Sequence, residues 1–351
     1  MIQLSRQRSL PYLVALSAAA TTLFVAGCGQ MEEQEAAVTQ TDDVTLVLDY
    51  FPNANHAAIY AAQAGGAFER AGLNVTIQPP ADAAAPLKTL AADQADFVIS
   101  YEPEILLARN EGAKIQGVQA LVQKPLTSVM SLPGKNAVRE PKDFAGKTVG
   151  TSGLNYQAAY LDTILDEGGV NPSRVKRVDL GFSLSAPLIA GRVDATLGGF
   201  WNYEAIELER KKKDPIVRRI EELGVPNYNE LVITATEETV RDRGPLVRRF
   251  VQAIGFGAKA VQADPAAGID PLMQASKGLD RGLQEASLKA TLPVMFPENK
   301  EQPFGWLDPV EWTTYANWMQ ERGLITSSRI AARATTNEYL AGQGVGDRTD
   351  S

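Results

Sequence analysis

Four short clusters combine aromatic rings, amides and carboxylates in the way that a site for a flat polar ring requires. They are Tyr50, Phe51, Asn53 and His56; Tyr101 and Glu102; Ser152, Gly153 and Tyr156; and Trp201, Tyr203 and Glu204. Rings can sandwich the faces of a heteroaromatic solute while carboxylates and amides bond its edge, in a pocket that is otherwise apolar. Glu204 is the strongest single candidate. A shielded carboxylate accepts from an exocyclic amine and pairs with a protonated ring nitrogen, and one such charge-assisted bond contributes roughly 1.5–3 kcal/mol. A structural reading stands beside this one, because Glu204 opens a helical stretch that runs on through Glu207 and Glu209, where an acid complements the helix dipole. Trp201 and Tyr203 suit a core as well as a ligand face. The single His56 has structural as well as functional uses, and Asn53 shapes a turn whatever else it touches.

Other chemistries find little support. With one histidine and one cysteine in the chain, no Ser-His-acid or Cys-His arrangement can be assembled, and no metal set either. The glycines at Gly150-Thr151-Ser152-Gly153 and Gly198-Gly199 fit neither phosphate-loop pattern, and no cofactor is called for. The basic run Lys211-Lys212-Lys213 with Arg218-Arg219 reads as a solvated helix face. The lone Cys28 closes the run Val25-Ala26-Gly27-Cys28, after Arg6, Arg8 and an apolar stretch from Leu10 to Val25. That order is a lipoprotein leader, so residues 1–27 are expected to be a signal peptide and Cys28 the lipidated first residue. Without the two arginines of residues 1–27, the formal charge moves from −8 to −10. An acidic body of this kind argues against nucleic acid and against electrostatic binding to anionic lipid, which leaves the lipid as its only membrane anchor. Residues 28–43 read as a flexible acidic tether.

Elements that could position the clusters alternate along the chain. Val44 to Leu48 reads as a strand, His56 to Arg70 as a helix ended by Gly72, Val75 to Gln78 as a strand, Pro86 to Ala92 as a helix and Asp96 to Ser100 as a buried strand. The pattern restarts with strand Lys147 to Gly150, helix Tyr156 to Glu167, strand Arg177 to Leu180, a helix before Gly191 and strand Ala195 to Gly198. Leu231 to Thr236 is a further strand, and helices come after it, starting at Thr236-Glu237-Glu238 and Asp308-Pro309. Such alternation implies an α/β fold with mainly parallel sheets flanked by helices. Ligands of such sheets bind beyond the carboxyl ends of strands. The four clusters each come directly after a predicted strand.

Several local motifs carry a resemblance: Leu48-Asp49-Tyr50-Phe51-Pro52-Asn53-Ala54-Asn55-His56, Ala67-Phe68-Glu69-Arg70-Ala71-Gly72-Leu73-Asn74-Val75, Asp143-Phe144-Ala145-Gly146-Lys147-Thr148-Val149-Gly150, Gly191-Arg192-Val193-Asp194-Ala195 and Gly199-Phe200-Trp201-Asn202-Tyr203-Glu204. In these the chain resembles the substrate-binding lipoproteins of ABC importers, in the group with thiamine-pyrimidine, riboflavin, taurine, alkanesulfonate and nitrate binders. The resemblance implies a two-lobed periplasmic-binding-protein fold of type II. One lobe would hold residues 44–127 and 232–345 and the other residues 128–231, with crossing segments near Leu126 to Ser131 and Asn229 to Thr234 and the ligand between the lobes. It also implies a monomer anchored by lipid on the extracytoplasmic face, delivering a small planar heterocycle to an ABC permease and its ATPase. A thiamine-related pyrimidine comes first, hydroxymethylpyrimidine or its formylated aminomethyl relative, with riboflavin close behind. Sulfonate and nitrate are more remote, because the clusters hold no Lys or Arg. The same fold family includes a pyrimidine synthase that uses a lysine for pyridoxal phosphate and a histidine four residues later. This chain has Ser100 and Glu104 at the matching positions, so an enzyme is not expected.

Overall fold

A computed structural model describes residues 41–344. The expected leader, Cys28 and nearly all of the expected acidic tether lie outside the described residues. Among the described residues there are ten strands: β1 (Asp42–Val47), β2 (Leu73–Gln78), β3 (Phe97–Ser100), β4 (Ile115–Val122), β5 (Thr127–Ser131), β6 (Thr148–Thr151), β7 (Lys176–Asp179), β8 (Ala195–Phe200), β9 (Ile216–Arg219) and β10 (Leu231–Thr236). They form two five-stranded sheets, ordered β2-β1-β3-β10-β4 and β7-β6-β8-β5-β9. Each sheet is the centre of one lobe of a mixed α/β fold.

Four strands of each sheet run one way and the fifth runs against them. In the first sheet the reversed strand is β10, antiparallel to β3 and β4; in the second it is β5, antiparallel to β8 and β9. The reason lies in the connections. β4 ends at Val122, and within a few residues the chain enters the other sheet as β5; β10 is where it comes back. A strand delivered across the cleft starts at the cleft, whereas the parallel strands end there.

The core arises from covered sheets. All four residues of β3 are buried, as expected for a strand packed on both faces. Phe97 stacks on Phe250 at 4.1 Å, and Phe250 on Phe68 at 5.6 Å, which fixes the long helix Gly244–Ala263 against the sheet. The Ala-rich helix Ala57–Ala64 lies so close to that long helix that a side chain at Gly257 would collide with the Ala58 carbonyl. The helix expected from His56 to Arg70 is interrupted. A single 3-10 turn at Ala54–His56 precedes Ala57–Ala64, and the chain then turns at Gly65-Gly66, with Gly66 at φ +68°, before Ala67–Arg70. Two adjacent glycines cost too much backbone freedom to continue a helix, and a positive φ suits Gly66. At the expected starts, Thr236 caps its helix by accepting from Thr239 N–H, and Asp308 accepts from Val310 N–H at 2.8 Å with Pro309 in the first helical position. Among the described residues no helix is long and apolar enough to cross a membrane.

Candidate functional site

The carboxyl ends of β1, β3, β6, β7 and β8 converge on one cavity of about 520 Å³, mouth included. From the first lobe it receives Asp49 and Tyr50 after β1, then Asn53, Asn55 and Tyr101. The second lobe contributes Ser152, Tyr156, Gln157, Phe182, Phe200, Tyr203 and Glu204, with apolar Leu154 and Leu184 filling between them. Neither Lys nor Arg is among the lining residues. The walls are therefore aromatic and the fixed charges acidic.

Asp49 is the most organised group. It is only 2% exposed, and both of its oxygens accept from within the first lobe: Oδ1 from His56 Nε2 at 2.8 Å, and Oδ2 from the Tyr101 hydroxyl at 2.9 Å. His56 is fully buried, and its Nδ1 accepts the backbone N–H of Asn53 at 3.1 Å. Asn53 caps the Ala54–His56 turn, its side chain accepting from Asn55 N–H and donating to the Phe51 carbonyl. The Asn-rich loop thus builds a support behind Asp49.

Glu204 stands opposite, at the start of helix Glu204–Arg210. One of its oxygens accepts Phe200 N–H at 2.7 Å. Burial pushes its carboxyl up to about 7 against the pull of that N–H, and the neighbouring Glu207 adds to the rise. Beside it, the Tyr203 hydroxyl accepts from Gln284 Nε2 at 3.2 Å. Gln157 is pinned to Ser152, accepting its backbone N–H at 3.0 Å and donating to its hydroxyl at 2.7 Å.

The lobes are in contact around this cavity. The Tyr50 hydroxyl donates to the Phe182 carbonyl at 3.0 Å, its ring meets Phe182 edge-to-face at 4.7 Å, and burial raises its pKa well above the ordinary tyrosine range. Asn202 donates to Asn55 at 2.7 Å, and ion pairs Arg210–Asp280 (2.9 Å) and Arg322–Asp166 (2.6 Å) also link the two lobes. Behind the cavity the chain crossings are tied together by Glu230. This buried carboxylate accepts from the N–H groups of Leu126 (2.6 Å) and Thr127 (2.9 Å), the Thr127 hydroxyl (3.1 Å) and the Tyr228 hydroxyl (2.9 Å).

Of the residues singled out in the sequence, Tyr50, Asn53, Tyr101, Ser152, Tyr156, Tyr203 and Glu204 line the cavity, and five do not. Phe51 is 52% exposed and packs edge-to-face on Phe182 outside, at the rim. His56 is behind Asp49. Glu102 is fully buried, accepting Asn229 N–H at 2.8 Å, and its carboxyl is pushed well above the usual range by burial; it anchors a crossing segment. Gly153, at φ +85°, makes a turn against the Asp179 carboxylate, which leaves no space for a side chain. Trp201 turns away, donating from Nε1 to the Pro125 carbonyl at 3.0 Å, under the Arg219 guanidinium at 4.0 Å.

Sequence reasoning misses Asp49, Gln157 and Phe182 as site residues. Asp49 and Phe182 both sit two or three residues beyond the last residue of a strand, so the rule that singles out the other clusters applies to them too. An acid closing the apolar run Val44 to Leu48 is the visible signal for Asp49.

A sequence model described as NMT1/THI5 like matches residues 53–268. A Haemophilus influenzae protein named for thiamine biosynthesis is 34% identical over 285 residues, covering 81% of this chain and 88% of its own. The formylaminopyrimidine-binding protein of Halalkalibacterium halodurans is 29% identical over 316 residues, 89% of this chain and 94% of that one. A 4-amino-5-hydroxymethyl-2-methylpyrimidine phosphate synthase of Uromyces fabae is 26% identical, over 64% of this chain and 68% of its own. Among solved structures, the alkanesulfonate-binding protein SsuA of Xanthomonas axonopodis pv. citri, bound to MOPS, superimposes with a TM-score of 0.66. That match covers 85% of this chain and 99% of the other at 16% identity, and shares the fold alone.

Proposed function

This chain belongs to the NMT1/THI5-like family, and from that premise we propose that it is an extracytoplasmic solute-binding protein that captures an aminopyrimidine related to thiamine and hands it to an ABC permease. One observation carries the reading: two carboxylates, Asp49 and Glu204, face an aromatic cavity from opposite lobes, and no cationic side chain lines it. A 4-aminopyrimidine supplies what such walls lack, an N–H edge for carboxylates and two flat faces for rings. A sulfonate or nitrate would meet two carboxylates and no cation to balance its charge.

Binding without chemistry is the consistent companion of this reading. Ser100 and Glu104 occupy the positions that resemblance to the synthase gives to a lysine and a histidine, and they bond to each other at 2.9 Å. The relative named for binding formylaminopyrimidine is matched over 94% of its length, the synthase over 68%. Lipid attachment through Cys28, and with it the membrane face on which the protein works, belongs to the same proposal and rests on the leader sequence.

Isothermal titration with hydroxymethylpyrimidine, its formylated aminomethyl relative, riboflavin and an alkanesulfonate tests the reading directly. Saturable binding of a pyrimidine alone supports it. Binding of riboflavin or the sulfonate in preference would overturn it. Heat is a better readout than tryptophan emission, because Trp201 packs against Pro125 rather than the cavity.

A further inference from the structure

We propose that His56 is a positioning residue for ligand recognition: it acts through Asp49, holding the carboxylate so that each oxygen keeps one free lone pair toward the cavity, and so selects ligands that offer two adjacent N–H donors. This rests on the aminopyrimidine reading and specifies which edge of the ring the site takes.

The hydrogen bonds fix the direction of every proton. Asn53 N–H is a backbone donor, so the His56 Nδ1 it meets at 3.1 Å must be bare. The ring proton then resides on Nε2, and it is donated to Asp49 Oδ1 at 2.8 Å. Tyr101 donates to Oδ2 at 2.9 Å. Each carboxylate oxygen has two acceptor sites, and one on each is filled by a donor of the same lobe, His56 from behind and Tyr101 from the cavity wall. With His56 at 0% and Asp49 at 2% exposure, water does not compete for these bonds. There remains one acceptor site on each oxygen of a cavity-lining group. The matching chemistry is an amidine edge, an exocyclic amine beside a protonated ring nitrogen, which meets a carboxylate in two parallel bonds as a guanidinium does. A ring bearing a carbonyl in place of the amine would set oxygen against oxygen.

Two measurements on the purified full chain test this. Long-range ¹⁵N–¹H spectra at pH 7.5 report the tautomer of the one histidine without overlap. The Nε2–H form is expected, and an Nδ1–H form overturns the proposal whatever the ligand is. Titrations then compare 4-amino-5-hydroxymethyl-2-methylpyrimidine with its 4-oxo analogue in the native protein and in His56→Gln, His56→Leu and Tyr101→Phe. Gln retains an N–H near the Nε2 position, so its preference for the amine should be kept. Leu, and Phe at 101, should each lose about tenfold or more of that preference. A purely structural role would weaken both ligands together and leave their ratio unchanged, which overturns the proposal; Tyr101→Phe keeps the test available if His56→Leu does not fold. If the native protein binds neither ring, the aminopyrimidine reading fails, while the tautomer still decides how Asp49 is held.

Discussion

Replacing Glu204 by Gln separates what this carboxylate does for the ligand from what it costs the fold. Its Oε2 accepts Phe200 N–H at 2.7 Å, and a glutamine can keep that bond through its amide oxygen. The other terminal atom changes from an acceptor to an NH₂ donor pointing where a ligand amine is expected. Loss of one charge-assisted bond corresponds to about 1.5–3 kcal/mol, or roughly 10- to 150-fold in Kd. The pH dependence has a definite sign. With the folded-state pKa raised from 4.5 to about 7, the folded chain between those values binds a proton that the unfolded chain has released. Stability therefore falls as pH rises through 4.5–7, and the penalty above pH 7 is at most about 3 kcal/mol, less to the extent that water reaches the cavity mouth. Glu204→Gln should accordingly be the more stable protein at pH 8 and the weaker binder. Its affinity deficit should narrow as pH drops below 7, where the native carboxyl takes up a proton and itself becomes a poorer acceptor. Titration calorimetry and thermal unfolding at pH 5, 6, 7 and 8 on both proteins measure all of this. Equal affinities at pH 8 would remove Glu204 from the site, and a destabilised variant at pH 8 would refute the account of its burial.

The contacts around the cleft lead to two further outcomes. Burial pushes the Glu230 carboxyl up to about 7 as well, so the test removes the acceptor altogether: Glu230→Ala leaves four donors at the crossings without a partner, and urea unfolding should show a loss of about 2–4 kcal/mol; a loss below about 1 kcal/mol would mean that the crossings are held by packing instead. Tyr50→Phe removes the hydroxyl bond to the Phe182 carbonyl, worth about 0.5–1.5 kcal/mol in the closed arrangement, so stopped-flow should show ligand leaving roughly 2–10 times faster with little change in the association rate.

Much of the site was legible because strand ends advertise themselves. Leu48 and Ile99 end apolar runs, and polar and aromatic residues succeed each at once. Direction was not legible. Trp201 and Tyr203 lie two residues apart in one turn, yet only Tyr203 reaches the cavity, because the indole N–H of Trp201 finds the Pro125 carbonyl. The strand before Phe182 was expected, as Arg177 to Leu180, but β7 is an edge strand with exposed Lys176, Arg177 and Asp179, so polar that the ring just beyond it drew no attention. The same holds for β9, which reads as part of a basic surface run. For β4, Ile115 to Val122, polar Gln116 and Gln119 masked a strand whose burial depends on pairing with β10, more than a hundred residues later. His56 was legible as unusual, while its role depends on Asp49 and Asn53 meeting it from both sides, a relation that only the folded loop contains.

The reversed strand β10 also sets an order of events for a chain emerging from the ribosome. Among the described residues β4 has no strand partner other than β10, and β10 lies between it and β3. Until Leu231–Thr236 has been synthesised, the first sheet is a three-stranded fragment with an open edge at β3, and β4 has nothing to pair with. The second sheet is complete by Arg219 and its strands are contiguous in the chain. The later lobe can therefore close first, and the earlier one waits for a strand that crosses back to it. Such long-range pairing slows folding, and the exposed edge of β3 is the surface that a chaperone would have to shield in the interval.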